Sequence, residues 1–282
     1  VTKSYAQRVV LDDLSVEIPE GSVVGLLGKN GAGKTTLLKC VLGLLRIDRG
    51  GINTMGEGPW TMRDVVKARI GYVPQGYRPY PWLQAGRLIE YTASFYPHWN
   101  NVLVSKLVHD WEVDLSSRVG VLSEGELQKL LIILALGHEP ELLVFDEPVA
   151  SLDPAARRQF LRTVLDVLTQ RAVTVFFSTH ITSDLERVAD TVGVLKKGRI
   201  DFFGGLDELK EVVKRVKVRG KKPLTDDLKL EGVLGRQVSG GEAVLTIRGF
   251  NAEKHRTLEK YSGGTVEVED LNLEEIFLEI SR

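Results

Sequence analysis

The stretch Gly28-Lys29-Asn30-Gly31-Ala32-Gly33-Lys34-Thr35-Thr36 decides the fold. It follows the apolar run Val23 to Leu27 and opens a segment of helical period, the strand, glycine turn and helix order of a phosphate-binding loop. Glycines leave backbone N–H groups free to wrap phosphate oxygens, and the helix N-terminus adds partial positive charge. Lys34 is placed to reach the β and γ phosphates and the Thr35 hydroxyl to ligate Mg²⁺. Asn30, Gly31, Gly33 and Thr36 complete this candidate nucleotide-binding set.

Working outward, short apolar runs alternate with helix-period segments. Leu142 to Phe145, Val173 to Phe177 and Val192 to Leu195 read as further strands, and crossover order predicts a mostly parallel sheet in an α/β fold. Asp146 ends one of these strands, where a parallel sheet presents groups at its carboxyl edge, and is expected to hold Mg²⁺. Glu147 follows it and faces the γ-phosphate. Val9 to Ile18 and Gly51 to Gly58 suit a small antiparallel layer. Leu83 to Tyr96 and Val102 to Trp111 read as helices of an insertion at about 76–135. After Gly204 a helix near Asp207 to Val213 leads into strands at Val216 to Arg219, Ala243 to Ile247 and Thr265 to Val268, with helices near Asn251 to Tyr261 and Leu273 to Ile280. The expected division is 1–210 for the nucleotide-binding domain and 211–282 for a small α/β accessory domain, with the loop Gly220 to Asp227 as a boundary feature.

Composition bounds the rest. Of 282 residues, 37 are basic and 38 acidic, a formal charge of −1, so no global field draws the chain to nucleic acid or anionic lipid. The 43% apolar content supports a full core and excludes disorder or coiled coil as the main state. The longest apolar run, Leu130 to Gly137, is far short of the roughly 18 residues of a membrane span. A single cysteine, Cys40, excludes an internal disulfide framework and fits a reducing compartment. No signal peptide is visible, and the start at Val1 suggests a trimmed terminus.

In combination these residues resemble the ATP-binding cassette family, the ATPase subunits of membrane transporters, over about residues 1–210. Tyr5 sits where the family has an adenine-stacking aromatic. Gly71-Tyr72-Val73-Pro74-Gln75 is similar to the Q-loop, whose glutamine contacts Mg²⁺ and senses the transmembrane partner. Leu122-Ser123-Glu124-Gly125-Glu126 stands at the signature position, where Ser123 and Gly125 match phosphate contacts. Asp146 and Glu147 close the Walker B strand, Ser151-Leu152-Asp153 resembles the D-loop, and His180 the switch histidine. Taken singly, Tyr5 reads equally as packing, Gln75 as a loop residue, and Asp153 before Pro154 as a helix N-cap.

The resemblance implies ATP and Mg²⁺ as ligands, with Glu147, His180, Lys34 and Gln75 as the catalytic set. It also implies dimerisation with a second nucleotide-binding subunit, a separate transmembrane partner, and a place at the cytoplasmic face of the membrane. The tail Leu273 to Leu278 resembles export-type bacterial cassettes, so the implied direction is export.

The signature departs from the family's commonest form, Leu-Ser-Gly-Gly-Gln. Glu124 and Glu126 bring two negative charges towards a segment that must approach phosphate, while Ser123-x-x-Glu126 is also a capping-box pattern. Tyr77, Tyr80, Trp82, Tyr91, Phe95, Tyr96, Trp99 and Trp111 concentrate aromatics in a chain that is 7% aromatic. Tyr77, Tyr80 and Trp82 are open between partner contact and burial. Lys214, Arg215, Lys217, Arg219, Lys221 and Lys222 read as a solvated face of a half-buried strand or a lysine-guarded edge, with lipid headgroups as the alternative contact.

Two rivals stand beside this reading. A soluble cassette acting on nucleic acid or ribosomes is disfavoured, since only 112 positions separate Lys34 from Asp146 and the charge is neutral, so no nucleic acid is expected. A nucleotide-gated module with weak hydrolysis is opposed by Glu147 and His180.

Overall fold

The computed structural model describes residues 1–150, 152–170, 172–220 and 230–281. Ser151, Lys221, Lys222 and most of the loop to Asp227 lie outside them. The chain forms two compact units, Val1–Phe203 and Gly204–Arg282.

In the first unit, β1 (Lys3–Tyr5) and β2 (Arg8–Leu11) make an antiparallel pair. There follow β3 (Val23–Leu27), α1 (Lys34–Val41), the short α2 (Asp64–Lys67) and β4 (Ile70–Val73). Next come α3 (Ala85–Ala93), α4 (Asn101–Asp110), α5 (Glu124–Leu136), β5 (Leu142–Asp146), α6 (Pro154–Gln170) and β6 (Thr174–Thr179). The series ends with α7 (Thr182–Val188), β7 (Thr191–Lys196) and β8 (Arg199–Gly205).

The main sheet has the order β4-β5-β6-β3-β7-β8, with β4 to β7 and β3 in parallel register. Strands β3, β5 and β6 are buried along their whole length, as expected of a parallel sheet covered on both faces. Leu26, Leu37, Leu38, Val144 and Phe176 belong to the core cluster that joins α1 to the sheet. The expected antiparallel layer is smaller than its sequence pattern, because among the described residues Gly51 to Gly58 contributes the Thr54–Glu57 bridge and no strand.

Helix α5 is apolar nearly all round and packs under α3, α4 and β4, so its run of leucines and isoleucines is core. Among the described residues no helix is long and apolar enough to cross a membrane.

Among the described residues the second unit holds a four-stranded antiparallel sheet, β10-β11-β9-β12, built from β9 (Val213–Arg219), β10 (Val233–Ser239), β11 (Glu242–Arg248) and β12 (Thr265–Asp270). Helices α8 (Leu206–Val212), α9 (Ala252–Ser262) and α10 (Leu273–Ile280) complete it. The division at Phe203 precedes the expected boundary at 210 because α8 packs with β9.

The basic strand β9 is central rather than an edge, which corrects the lysine-guarded-edge alternative. Acidic neighbours meet its charges: Lys214 with Asp270 (2.6 Å), Lys217 with Glu269 (2.5 Å), Arg215 with Glu275 (2.8 Å) and Arg219 with Glu242 (3.1 Å). Val216 and Val218 face the small core with Leu245, Ile247 and Leu258. A lipid headgroup would have to displace these acids at the four β9 positions.

Candidate functional site

The sheet order places β6 between β5 and β3, so the loop after β3, the acids after β5 and the residues ending β6 meet at one carboxyl edge. Gly33 caps α1 with φ 112°, and a Cβ there would lie 2.9 Å from the Val10 carbonyl oxygen, so only glycine fits. Gly31 also has positive φ, while Asn30 is exposed on the same loop. The Lys34 side chain folds back and donates to the carbonyls of Gly28 (2.6 Å) and Lys29 (3.5 Å). Its Nζ also stands 3.0 Å from Glu147 Oε1, with the two side chains 6% and 5% exposed.

Glu147 is doubly engaged, because His180 Nδ1 shares a 2.7 Å hydrogen bond with its other oxygen, Oε2. Its backbone has φ 53°, a left-handed conformation that costs a non-glycine residue about 1–3 kcal/mol and is held at functional sites by surrounding bonds. Ser178 supplies those bonds. Its hydroxyl accepts from the Glu147 N–H at 3.0 Å and donates to Asp146 Oδ1 at 2.7 Å. Ser178 is wholly buried and sits opposite Asp146 in the β5–β6 register. Sequence reading missed it as a site residue: a serine beside a threonine at a strand end carries no local signal, and only the register brings it to the acids.

Asp146 Oδ1 also accepts from the Thr35 hydroxyl at 3.1 Å. A buried carboxylate and a hydroxyl in contact form a hard oxygen donor set, which fits Mg²⁺. Gln75 is exposed and lines one cavity of about 700 Å³ together with Thr35 and Asp146. The same cavity is walled by Tyr72 and His138. Burial, with Asp146 nearby, pushes the Tyr72 phenol up to about 12, and burial pushes the His138 ring down. Both walls therefore stay neutral near pH 7. Thr36, on the first turn of α1, is half-buried.

The remaining expected residues have partners of their own. Tyr5 is half exposed, with the Lys3 ammonium 5.7 Å from its ring centre. Asp153 is the N-cap of α6: its Oδ1 accepts from the N–H groups of Ala156 (3.0 Å) and Ala155 (2.8 Å), which hold its carboxyl below the usual range. Ser123 caps α5 in a full capping box with Glu126, and Gly125 lies in the first turn. The Ser123 hydroxyl, then its N–H, holds the Glu126 carboxyl below the usual range.

Glu124 is paired with Arg78 at 2.7 Å, a partner 46 positions away that sequence reading did not supply. Glu124 thus has a cation against it, while Glu126 stays ionised and is held in the capping box. Of the aromatics, Trp111 is buried, whereas Trp82, Tyr80, Tyr91 and Phe95 run edge to face along the surface with centroids 4.9–5.9 Å apart. Tyr77 is exposed beside them.

Comparison with known proteins agrees with this geometry. The family model "ABC transporter" matches residues 11–150. The uncharacterized ABC transporter ATP-binding protein YhaQ of Bacillus subtilis (strain 168) is 31% identical over 301 aligned residues, covering 99% of this chain and 96% of that protein. The Nod factor export ATP-binding protein I of Burkholderia pseudomallei (strain 1710b) is 30% identical, covering 100% and 95%. A solved "ATP binding subunit of ABC transporter" superposes with TM-score 0.67 at 29% identity, over 74% of this chain and 89% of that one. With a phosphate loop, paired acids and histidine converging at one sheet edge, and relatives alike over their full length, the chain belongs to the ATP-binding cassette family of transporter ATPases.

Proposed function

We propose that this chain is the ATP-hydrolysing subunit of a membrane exporter, two copies or two related chains closing head to tail on two ATP molecules. The observation that carries the reading is the Glu147 carboxylate, held between Lys34 at 3.0 Å and His180 at 2.7 Å, beside the Thr35–Asp146 pair. Lys34 and the loop amides of Asn30 to Thr36 take the phosphates, and Tyr5 the adenine. Thr35, Asp146 and Gln75 hold Mg²⁺, which supplies charge neutralisation at the phosphates when bound. Glu147 orients the attacking water and accepts its proton, while His180 steadies the carboxylate and the γ-phosphate. Catalysis is then positioning and electrostatics.

Ser123 and Gly125 of one cassette close on the phosphates held by the other, with Asp153 at the same junction. The aromatic stripe beside Gln75 receives the transmembrane partner, which sets the chain at the cytoplasmic face. Export as the direction is supported by the printed role of the Nod factor relative, whose match spans this whole chain.

The test is phosphate release by the purified chain with and without Mg²⁺, against Glu147→Gln. Turnover falls by about 100-fold or more, ATP binding by calorimetry persists, and ATP-dependent dimers accumulate. Unchanged phosphate release in the variant overturns the assignment.

A further inference from the structure

We infer that Arg78 is a positioning residue that clasps the exposed aromatic loop to the signature segment, so that the two move as one piece. The inference rests on the reading of Ser123 and Gly125 as the edge that meets the second cassette's nucleotide.

One guanidinium makes three bonds to that segment. Nη1 donates to the carbonyls of Val119 (2.6 Å) and Leu122 (2.8 Å), and Nη2 donates to Glu124 Oε1 (2.7 Å). These acceptors bracket Ser123, the N-cap of α5, on both sides. The planar fork of arginine suits such divergent acceptors, whereas the point charge of lysine does not. Backbone bonds extend the attachment: Val119 N–H donates to Leu83 O at 2.9 Å, Gly120 N–H to Pro81 O at 2.8 Å, and Ala85 N–H to Ser117 O at 2.9 Å. Contact is so close that a Cβ on Gly120 would lie 2.7 Å from the Pro81 oxygen. Tyr77, Tyr80 and Trp82, all exposed, stand on the loop that Arg78 belongs to. A partner that shifts those rings therefore shifts Ser123 and Gly125 as well.

The clasp gives Glu124 a role that its sequence position conceals. Its carboxylate is the charged third of the attachment, turned to Arg78 rather than left to repel phosphate. Glycine at that position would leave the second fork nitrogen without its acid.

The test uses the full chain in the Glu147→Gln background, comparing Arg78→Ala, Arg78→Lys, Glu124→Ala and the Arg78→Ala/Glu124→Ala pair. Two quantities are read: the ATP concentration for half-maximal dimerisation, by light scattering, and hydrogen exchange at the Ser123 and Glu126 amides. Arg78→Ala raises the first and speeds the second by about tenfold, the scale of a lost bond to a charged group, with ADP affinity unchanged. Arg78→Lys recovers only part, and the double variant is no worse than Arg78→Ala alone.

Dimerisation and exchange equal to the parent overturn the clasp, as do independent, additive effects of the two positions or a parallel fall in ADP affinity. If the Glu147→Gln parent itself forms no ATP-dependent dimer, the head-to-tail closure proposed above fails instead, and amide exchange alone decides the clasp.

Discussion

The phosphate end of the sheet and the signature arm both use ion pairs, but in opposite surroundings. Lys34 and Glu147 are almost wholly buried, whereas Arg78 and Glu124 are 26% and 62% exposed. In the first region neither charge can turn to water, so each relies on its partner and on strand register. In the second, water competes at the Arg78–Glu124 pair, while the bonds from Arg78 to the Val119 and Leu122 carbonyls are part-buried and fix where the segment stands. Breaking one side of a buried pair therefore costs stability as well as chemistry, whereas breaking an exposed one costs little stability.

That contrast breaks first at Lys34. Lys34→Met leaves Glu147 buried with His180 as its remaining partner and costs about 3 kcal/mol or more of unfolding free energy, besides weakening ATP binding. Lys34→Met/Glu147→Gln removes both charges and recovers most of the loss. Urea unfolding of the three proteins decides it; a single variant as stable as the parent denies that the pair is buried in the energetic sense.

Next is Ser178→Ala. It strips Asp146 of one donor and the left-handed Glu147 of one tether, leaving the 3.2 Å bond from Glu147 N–H to the Ser178 carbonyl. The expected cost is about 1–3 kcal/mol, with a fall in kcat larger than any rise in KM. A neutral result would mean that strand register alone holds Glu147.

Glu126 sharpens the other side. Glu126→Ala costs about 0.5–2 kcal/mol in thermal unfolding, by analogy with lost caps, and Glu126→Gln much less. Because the folded Glu126 carboxyl titrates below its ordinary value, its contribution is complete above about pH 4.5 and is lost as pH falls through the lowered value. Wild type should therefore lose its advantage over Glu126→Gln on acidification; a gap that widens instead reverses the sign.

The smallest effect is expected at Glu124. Glu124→Gly should change stability by no more than about 1 kcal/mol beyond the backbone cost of glycine, since the pair is exposed. If it instead tightens ATP-dependent dimerisation, repulsion and not the Arg78 bond governs that carboxylate.

Local pattern carried much of this protein. The phosphate loop, the all-apolar strands ending at Leu27 and Asp146, the Asp153 cap and the Ser123–Glu126 box each depend on residues within a few positions, so periodicity and spacing reveal them. Family resemblance added His180 and Gln75. Strands β4, β8 and β10 escaped that reading: β4 and β8 are short or glycine-containing, and β10 carries the partly exposed Gly235, Arg236 and Gln237.

What only tertiary structure decided are meetings across long sequence separations. Ser178 reaches Asp146 through parallel register, Arg78 reaches Glu124 across a helical insertion, and the acids of β12 meet β9 from a strand 52 to 56 positions away. Exposure of Tyr77, Tyr80 and Trp82 was settled in the same way. An aromatic side chain has the same sequence signature in a core as on a docking face, and only the packing of its neighbours tells the two apart.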